Sequence, residues 1–122
     1  MLACVLSSAL LGVDAYIIQV ETDISSGLPS FNTVGLPDSA VKESKDRVTA
    51  AIKNSDFHFP SSRITINLAP ADVRKEGSAF DLPIALGILA ATGQVETDRL
   101  DQLMTVGELA LDGRIRSVNG SL

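Results

Sequence analysis

Over much of the first third of the chain, apolar residues alternate with polar ones or run together in short β-branched stretches. Ala3 to Leu10 and Ala15 to Ile24 are rich in residues that favour strands, and Leu11-Gly12-Val13-Asp14 between them supplies turn residues. A short strand is also predicted from Ser30 to Gly35, between two prolines. The pattern therefore predicts a hairpin followed by a third strand.

The spacing changes to a helical period after Pro37-Asp38-Ser39, where a proline and an acidic residue are typical of a first helical turn. The helix is predicted to end at Asn54-Ser55-Asp56. One face is expected to be apolar and to contain Ala40, Val41, Val48, Ala51 and Ile52. The opposite face is expected to be solvated and to contain Lys42, Glu43, Lys45, Asp46 and Lys53.

A fourth strand and a second helix are predicted in the next part of the chain. Arg63 to Leu68 alternates as a strand with one buried face does. Leu82 to Thr92 is apolar on nearly every side and ends at Gly93, which predicts a central, buried helix. We expect the most buried side chains of the core to be included in a set from this helix: Leu82, Ile84, Leu86, Ile88 and Leu89.

The last part of the chain is predicted to form a second hairpin. Met104 to Leu111 and Arg114 to Val118 both read as strands, and Asp112-Gly113 between them is a strong signal for a tight turn. Asp98 to Gln102 is expected to add a helical turn before this hairpin.

The predicted order of elements is therefore β-β-β-α-β-α-β-β. Strands occur in groups, and two helices are too few to cover both faces of a parallel sheet, so a two-layer α+β fold is favoured. A length of 122 residues suits one hydrophobic core better than two. We expect a single domain over residues 1–122.

Charge and composition limit the possible chemistry. The net charge is −5, which argues against a surface that binds nucleic acid everywhere, although it allows a local basic patch. Cys4 and His58 are the single cysteine and the single histidine, so one chain cannot build a disulfide framework or a zinc site of soft ligands. Cys4 is expected to pack in the core.

The apolar start lacks a basic residue and is interrupted by Asp14, which favours buried strands and a cytoplasmic location over a signal peptide or membrane span.

The stretch RKEGSAFD, residues 74–81, makes Ser78 the candidate nucleophile. No sequence feature places His58 near Ser78, which argues against a Ser-His-Asp triad. A Ser-Lys dyad needs a desolvated lysine, whereas Lys75 is expected to be solvated in a charged loop and the other lysines lie on the polar helix face. Asp81 is expected to cap the second helix, which leaves Ser78 a structural role before it.

Nucleotide binding has no sequence support in this chain. The loop GxxxxGK[ST], which would surround phosphates, is missing, and so is the GxGxxG turn of dinucleotide-binding folds. We therefore expect no cofactor in this chain.

Three long segments carry a family resemblance. They are SSALLGVDAYIIQVETDISSGLPSFNTVGLPDSAVKESKDRVTAAIKNS, RITINLAPADVRKEGSAFDLPIALGILAATG and VGELALDGRIRSVNG. Together they resemble the amino-terminal domain of the ComM (YifB) family of magnesium-chelatase-like AAA+ ATPases. The resemblance covers essentially the whole chain, and VGLPDSAVKES, NLAPAD and EGSAFDLPIALGIL are its most specific parts.

This resemblance implies a fold shared with the proteolytic domain of Lon and with a domain of a small-subunit ribosomal protein. KEGSA is similar to the Lon nucleophile loop KDGPSAG, and GELALDGRI is similar to the Lon hairpin GE-x-x-x-x-G-R-V. The proline before the serine is missing, Asp81 replaces a small residue, and the Lon lysine in GG-x-K has no counterpart in Asn119-Gly120-Ser121-Leu122. The resemblance thus implies that Ser78 occupies a degenerate nucleophile loop and that the chain has no catalytic residue.

The resemblance further implies that the chain is a fragment of a larger hexameric motor that promotes branch migration during natural transformation. ATP and Mg²⁺ would bind in an AAA+ module outside this chain. The domain itself is expected to support ring assembly or to guide branched or single-stranded DNA. Four of the ten basic residues are expected to contact DNA or the AAA+ module: Arg74, Lys75, Arg114 and Arg116. Two alternatives are a Lon-like serine peptidase domain and an accessory domain of a magnesium chelatase.

Overall fold

The computed structural model describes residues 2–11, 14–71, 75, 78–96 and 104–116. Its elements follow the predicted order. They are β1 (Leu2–Leu11), β2 (Asp14–Ser25), β3 (Ser30–Val34), α1 (Asp38–Asn54), β4 (Arg63–Ala69), α2 (Asp81–Ala91), β5 (Glu108–Leu109) and β6 (Ile115–Arg116). The predicted α+β class is confirmed, and most predicted bounds are within one or two residues of those observed.

Four strands form one mixed sheet in the order β1-β2-β4-β3. β1 and β2 form the predicted antiparallel hairpin, and β2 also pairs antiparallel with β4. β3 pairs with β4 in parallel, and α1 connects these two strands. β5 and β6 form a separate antiparallel pair.

The core lies between one face of the sheet and the two helices. Side chains at every second strand position point to this face, because successive residues of a strand face opposite sides. The large apolar residues of the sheet that are buried there are Val5, Ile18, Val20, Ile64, Ile66 and Leu68, and α1 adds Val48, Ala51 and Ile52.

α2 is the central helix that the sequence predicts, but its large side chains are not equally buried. Ile84, Ile88 and Leu89 are buried, with at most 6% of their surface exposed. Leu82 and Leu86 are only half-buried, so the most buried side chains of the predicted set are Ile84 and Ile88. Part of the Leu82 and Leu86 side chains remains exposed to solvent, although Leu82 packs against the core.

The opposite face of the sheet is exposed. Cys4 lies on it, because Cys4 is out of phase with the buried Val5, and the expectation that Cys4 packs in the core is therefore wrong. Partial burial, and secondly the negative charge of Glu21 on the neighbouring strand, raise the pKa of the Cys4 thiol. A thiol with a raised pKa is a poorer nucleophile at neutral pH.

The segment before β5 is hydrogen-bonded to β1 and does not form one long strand with β5. Met104 makes a parallel bridge with Leu6, and the amide of Thr105 donates to the Leu6 carbonyl oxygen at 3.0 Å. Ser7 Oγ donates to the Thr105 carbonyl oxygen at 2.7 Å. The predicted strand Met104–Leu111 is therefore regular only at Glu108–Leu109.

The Asp112-Gly113 turn is confirmed, with Gly113 at φ 94, in the region that favours glycine. The expected helical turn Asp98–Gln102 and the end of the predicted last strand lie outside the described residues. No helix in the described part of the chain is long and apolar enough to cross a membrane.

Candidate functional site

Ser78 lies just before α2, as predicted, and is half-buried. Its carbonyl oxygen accepts a hydrogen bond from the amide of Asp81 at 3.2 Å. Among the described residues, no hydrogen bond joins Ser78 Oγ to a lysine or to His58. The side chain of His58 is exposed, and its backbone is held by the Gln94 amide through two hydrogen bonds of 2.7 Å. The geometry therefore supplies no base that is already bonded to the Ser78 hydroxyl.

Lys75 is buried, with 3% of its surface exposed. Its ammonium donates a hydrogen bond of 2.7 Å to the carbonyl oxygen of Pro70, just after β4. The expectation that Lys75 is solvated is wrong, because its side chain is buried with its ammonium against the end of β4. A buried ammonium needs such acceptors to offset the loss of hydration. The ammonium of Lys75 therefore lies below the surface at which we expected this residue to contact DNA or the AAA+ module.

Asp81 is completely buried and does not cap α2. The capping position is Phe80, and there is no capping hydrogen bond from a side chain at this position. Asp81 instead accepts four hydrogen bonds from groups of other elements. Oδ1 accepts from Ser44 Oγ at 2.8 Å and from Arg47 Nη2 at 3.1 Å. Oδ2 accepts from Arg47 Nε at 2.5 Å and from the Leu109 amide at 3.1 Å.

Arg47 and Asp81 form a partly buried ion pair. The Arg47 side chain is 20% exposed and that of Asp81 is 1% exposed. The hydrogen bond to Asp81 raises the pKa of Arg47, and the charges of Asp81, Glu108 and Glu43 act in the same direction against the effect of burial. Because all four bonds use the carboxylate as acceptor, Asp81 is suited to hold elements together rather than to transfer protons.

Gly107 provides a second connection between α2 and the segment that leads into β5. Its amide donates to the Ala79 carbonyl oxygen at 2.8 Å, and its carbonyl oxygen accepts from the Leu82 amide at 3.0 Å. A Cβ at this position would lie 2.9 Å from Ile115 Cγ2, which leaves little room for a side chain. The β5–β6 hairpin is therefore held close to the start of α2 by backbone and side-chain bonds together.

Arg114 and Arg116 lie on the exposed side of this hairpin. Arg114 Nε donates to Asp112 Oδ2 at 2.8 Å, and the Arg114 amide donates to Oδ1 of the same carboxylate. The hydrogen bond from the amide lowers the pKa of Asp112. Arg116 is paired across the hairpin with Glu108. Each arginine thus has an acidic neighbour, which reduces the positive potential that the hairpin presents.

The four residues of the predicted contact surface are not all brought together. Arg114 and Arg116 are on the hairpin, Lys75 is in the interior, and Arg74 lies outside the described residues. Within the described ranges, no cluster of three His, Cys, Asp or Glu residues could hold a metal ion.

Sequence reasoning missed Ser44 and Arg47. Ser44 is buried on α1 near Val48, on the face that packs against the core. A serine on an otherwise apolar helix face, followed by an arginine one turn later, is the signal that could have indicated a buried polar partner.

Comparison with known proteins agrees with the family resemblance. The family described as subunit ChlI of Mg-chelatase matches residues 20–122. Competence protein ComM of Haemophilus influenzae is 52% identical over 119 residues, which are 98% of this chain and 23% of that protein. An uncharacterized protein YifB of Escherichia coli is 52% identical over 121 residues, 99% of this chain and 24% of that protein.

An uncharacterized protein of Mycobacterium tuberculosis is 45% identical over 116 residues, which are 95% of this chain and 23% of that protein. The chain thus spans about a quarter of the length of the curated relatives it matches. Since the family match covers most of the sequence, the chain belongs to the magnesium-chelatase ChlI family, together with these ComM and YifB proteins.

Proposed function

We propose that this chain is the non-catalytic amino-terminal domain of a ComM/YifB-type AAA+ ATPase, with a Lon-like two-layer fold. The identity of 52% to the competence protein ComM, over almost the whole chain but a quarter of that protein, supports this assignment. ATP and Mg²⁺ then belong to a separate AAA+ module of the longer protein. The complete protein is a cytoplasmic hexamer that drives branch migration during transformation and recombination.

The non-catalytic role is supported by the hydrogen bonding of two side chains, Ser78 just before α2 and Asp81 at its start. Ser78 Oγ makes no hydrogen bond to a lysine or histidine in the described part of the chain. The Asp81 carboxylate is fully used by Ser44, Arg47 and Leu109. A nucleophile without a base, next to a carboxylate that is occupied by structural bonds, supports a domain whose task is assembly or DNA engagement.

The β5–β6 hairpin is the surface that we propose for this engagement. It presents Arg114 and Arg116 to solvent, and it is fixed to α1 and α2 through Asp81 and Gly107. A fixed hairpin favours binding, because it loses less conformational entropy in a complex than a mobile loop does. The contacted group is a DNA phosphate or an acidic patch of the AAA+ module.

A comparison of two charge-matched pairs in the longer protein tests this role. Arg114→Ala/Arg116→Ala is compared with Lys42→Ala/Lys45→Ala, which removes two exposed cations from α1. For a phosphate contact, the hairpin pair is expected to flatten the slope of log affinity against log salt for branched DNA by about 1 per lost contact. For a contact with the AAA+ module, hexamer assembly is expected to weaken. Equal affinity, salt slope and assembly for both pairs would show that the hairpin is ordinary surface.

Burial of Lys75 favours a second candidate, a Lon-like serine peptidase. Lys75 lies three residues before Ser78, and a desolvated lysine can act as a base when its pKa falls. Against this, its ammonium is bonded to the Pro70 carbonyl oxygen. We expect casein hydrolysis at the background rate for both the wild type and Ser78→Ala. Hydrolysis that survives purification and is abolished by Ser78→Ala would establish the peptidase and contradict the non-catalytic role.

A further inference from the structure

The β5–β6 hairpin exposes apolar side chains although its backbone is fixed to the rest of the domain. Leu111 is 57% exposed and Ile115 is 61% exposed. The carbonyl oxygen of Leu111 accepts a hydrogen bond of 2.8 Å from Asn54 Nδ2, at the end of α1. A Cβ at Gly113 would overlap Ser55 Oγ, so the turn of the hairpin also lies directly against the end of α1. The hairpin is thus packed against α1, and yet these two apolar side chains remain largely in contact with solvent.

The charges of the hairpin cancel, which makes it a poor surface for DNA. Arg114 forms an ion pair with Asp112. Arg116 is opposite Glu108 on the neighbouring strand. Binding to phosphates requires cations that are free to replace counterions, and exposed apolar side chains add nothing to it. Apolar side chains with charged residues around them are instead typical of a protein interface, so the AAA+ module is favoured over DNA as the partner.

Under the proposed function, the AAA+ module follows this domain in the same chain. β6 ends at Arg116, and Leu122 lies at most about 20 Å of extended chain beyond it. The continuing chain therefore starts close to the hairpin. A module connected in this way has an effective concentration of about 1 mM, so a small apolar contact is sufficient to keep it bound. A free protein would need a much larger interface than this hairpin offers.

We infer that Leu111 and Ile115 pack against the AAA+ module of the same chain and that the hairpin does not bind DNA. This inference rests on the proposed function, which supplies the module, and it decides between the two partners named there. Arg114 and Arg116 then belong to the polar border of the contact, where side chains keep their access to water. Because the hairpin is fixed to α1 and α2, the contact holds the whole domain in one orientation on the module.

Photo-crosslinking in the longer protein identifies the partner. Ile115→benzoylphenylalanine introduces a photoreactive side chain, and the protein is irradiated with branched DNA present. Ile17→benzoylphenylalanine is the matched control, because Ile17 is 63% exposed on the outer face of the sheet. We expect the Ile115 variant to crosslink to a peptide of the AAA+ module at the mass of a single chain, and the Ile17 variant to do so much less. A crosslink of the Ile115 variant to DNA or to another chain, equal yields for both variants, or no crosslink would overturn the inference.

Salt and a second substitution test whether the contact is apolar. The yield of the Ile115 crosslink is expected to change by less than about twofold between about 0.1 M and 1 M salt, because screening weakens ionic contacts and not apolar ones. Leu111→Ser is expected to lower this yield by about fivefold or more, because it removes one of two apolar side chains from the contact. Leu28→Ser, which changes a leucine that is 90% exposed before β3, is expected to leave the yield unchanged. A steep loss with salt, or equal yields for the two serine variants, would contradict an apolar contact.

ATP hydrolysis by the wild-type longer protein tests the proposed function separately. The absence of hydrolysis would overturn the proposed function and, with it, this inference. Hydrolysis without an Ile115 crosslink would leave the proposed function standing and overturn only the contact between the hairpin and the AAA+ module.

Discussion

Gly87 and Thr22 determine how closely α2 approaches the sheet. A Cβ at position 87 would lie 2.3 Å from Thr22 Oγ1 and 3.3 Å from Thr22 Cβ. Both residues are buried, and the Thr22 hydroxyl has no hydrogen-bond partner among the described residues. The absence of a side chain at Gly87 is therefore a packing requirement. The sequence does not indicate it, because a glycine within an apolar helix carries no information about the strand residue that it faces.

Gly87→Ala is expected to lower the free energy of unfolding by about 1 to 3 kcal/mol, as overpacked core positions do. This steric cost exceeds the gain of up to about 1 kcal/mol that alanine offers a helix over glycine. Urea denaturation measures the difference. In a Thr22→Ala background the closest contact is removed, so the same substitution is expected to cost less. An equal cost in both backgrounds would mean that Thr22 does not determine this distance.

At the scale of elements, the sequence predicts best where one face of an element is apolar and the other is not. The alternation in β4 places Ile64, Ile66 and Leu68 inside, as observed. The stretch LACVLSSALL in β1 has apolar residues on both faces, so its pattern cannot indicate which face is buried. This explains why Cys4 was expected inside. The final strands are shorter than predicted because residues 104–107 bond to Leu6, Ala79 and Leu82, in other parts of the chain.

The candidate site is predictable only in part, because its hydrogen bonds join residues that are far apart in the sequence. Ser78 and the start of α2 follow from local residue types. The partners of Asp81 lie 37, 34 and 28 positions away in the sequence, at Ser44, Arg47 and Leu109. No local pattern encodes such distances, so a cap was the natural prediction for an aspartate at a helix start. The burial of Lys75 is a tertiary effect of the same kind.

For the whole molecule, Asp81 is the point at which three elements meet. It belongs to α2, and its carboxylate bonds to two side chains of α1 and to the backbone of β5. These bonds connect the helical layer to the hairpin that carries Arg114 and Arg116. The position of the hairpin relative to the core therefore depends on the buried charge of Asp81 and its partner Arg47, together with the backbone bonds of Gly107.

Asp81→Asn is expected to lower the free energy of unfolding by about 3 kcal/mol, the lower range for breaking a buried ion pair, because Arg47 keeps some contact with water. Each carboxylate oxygen accepts two hydrogen bonds, so either orientation of the asparagine amide turns its NH₂ group towards two donors. Asp46→Asn is the matched control, since Asp46 is exposed on α1 and its loss is expected to change stability by less than about 0.5 kcal/mol. Urea denaturation of both variants measures the difference. Equal stability of the two variants would show that the Asp81 bonds do not hold the three elements together.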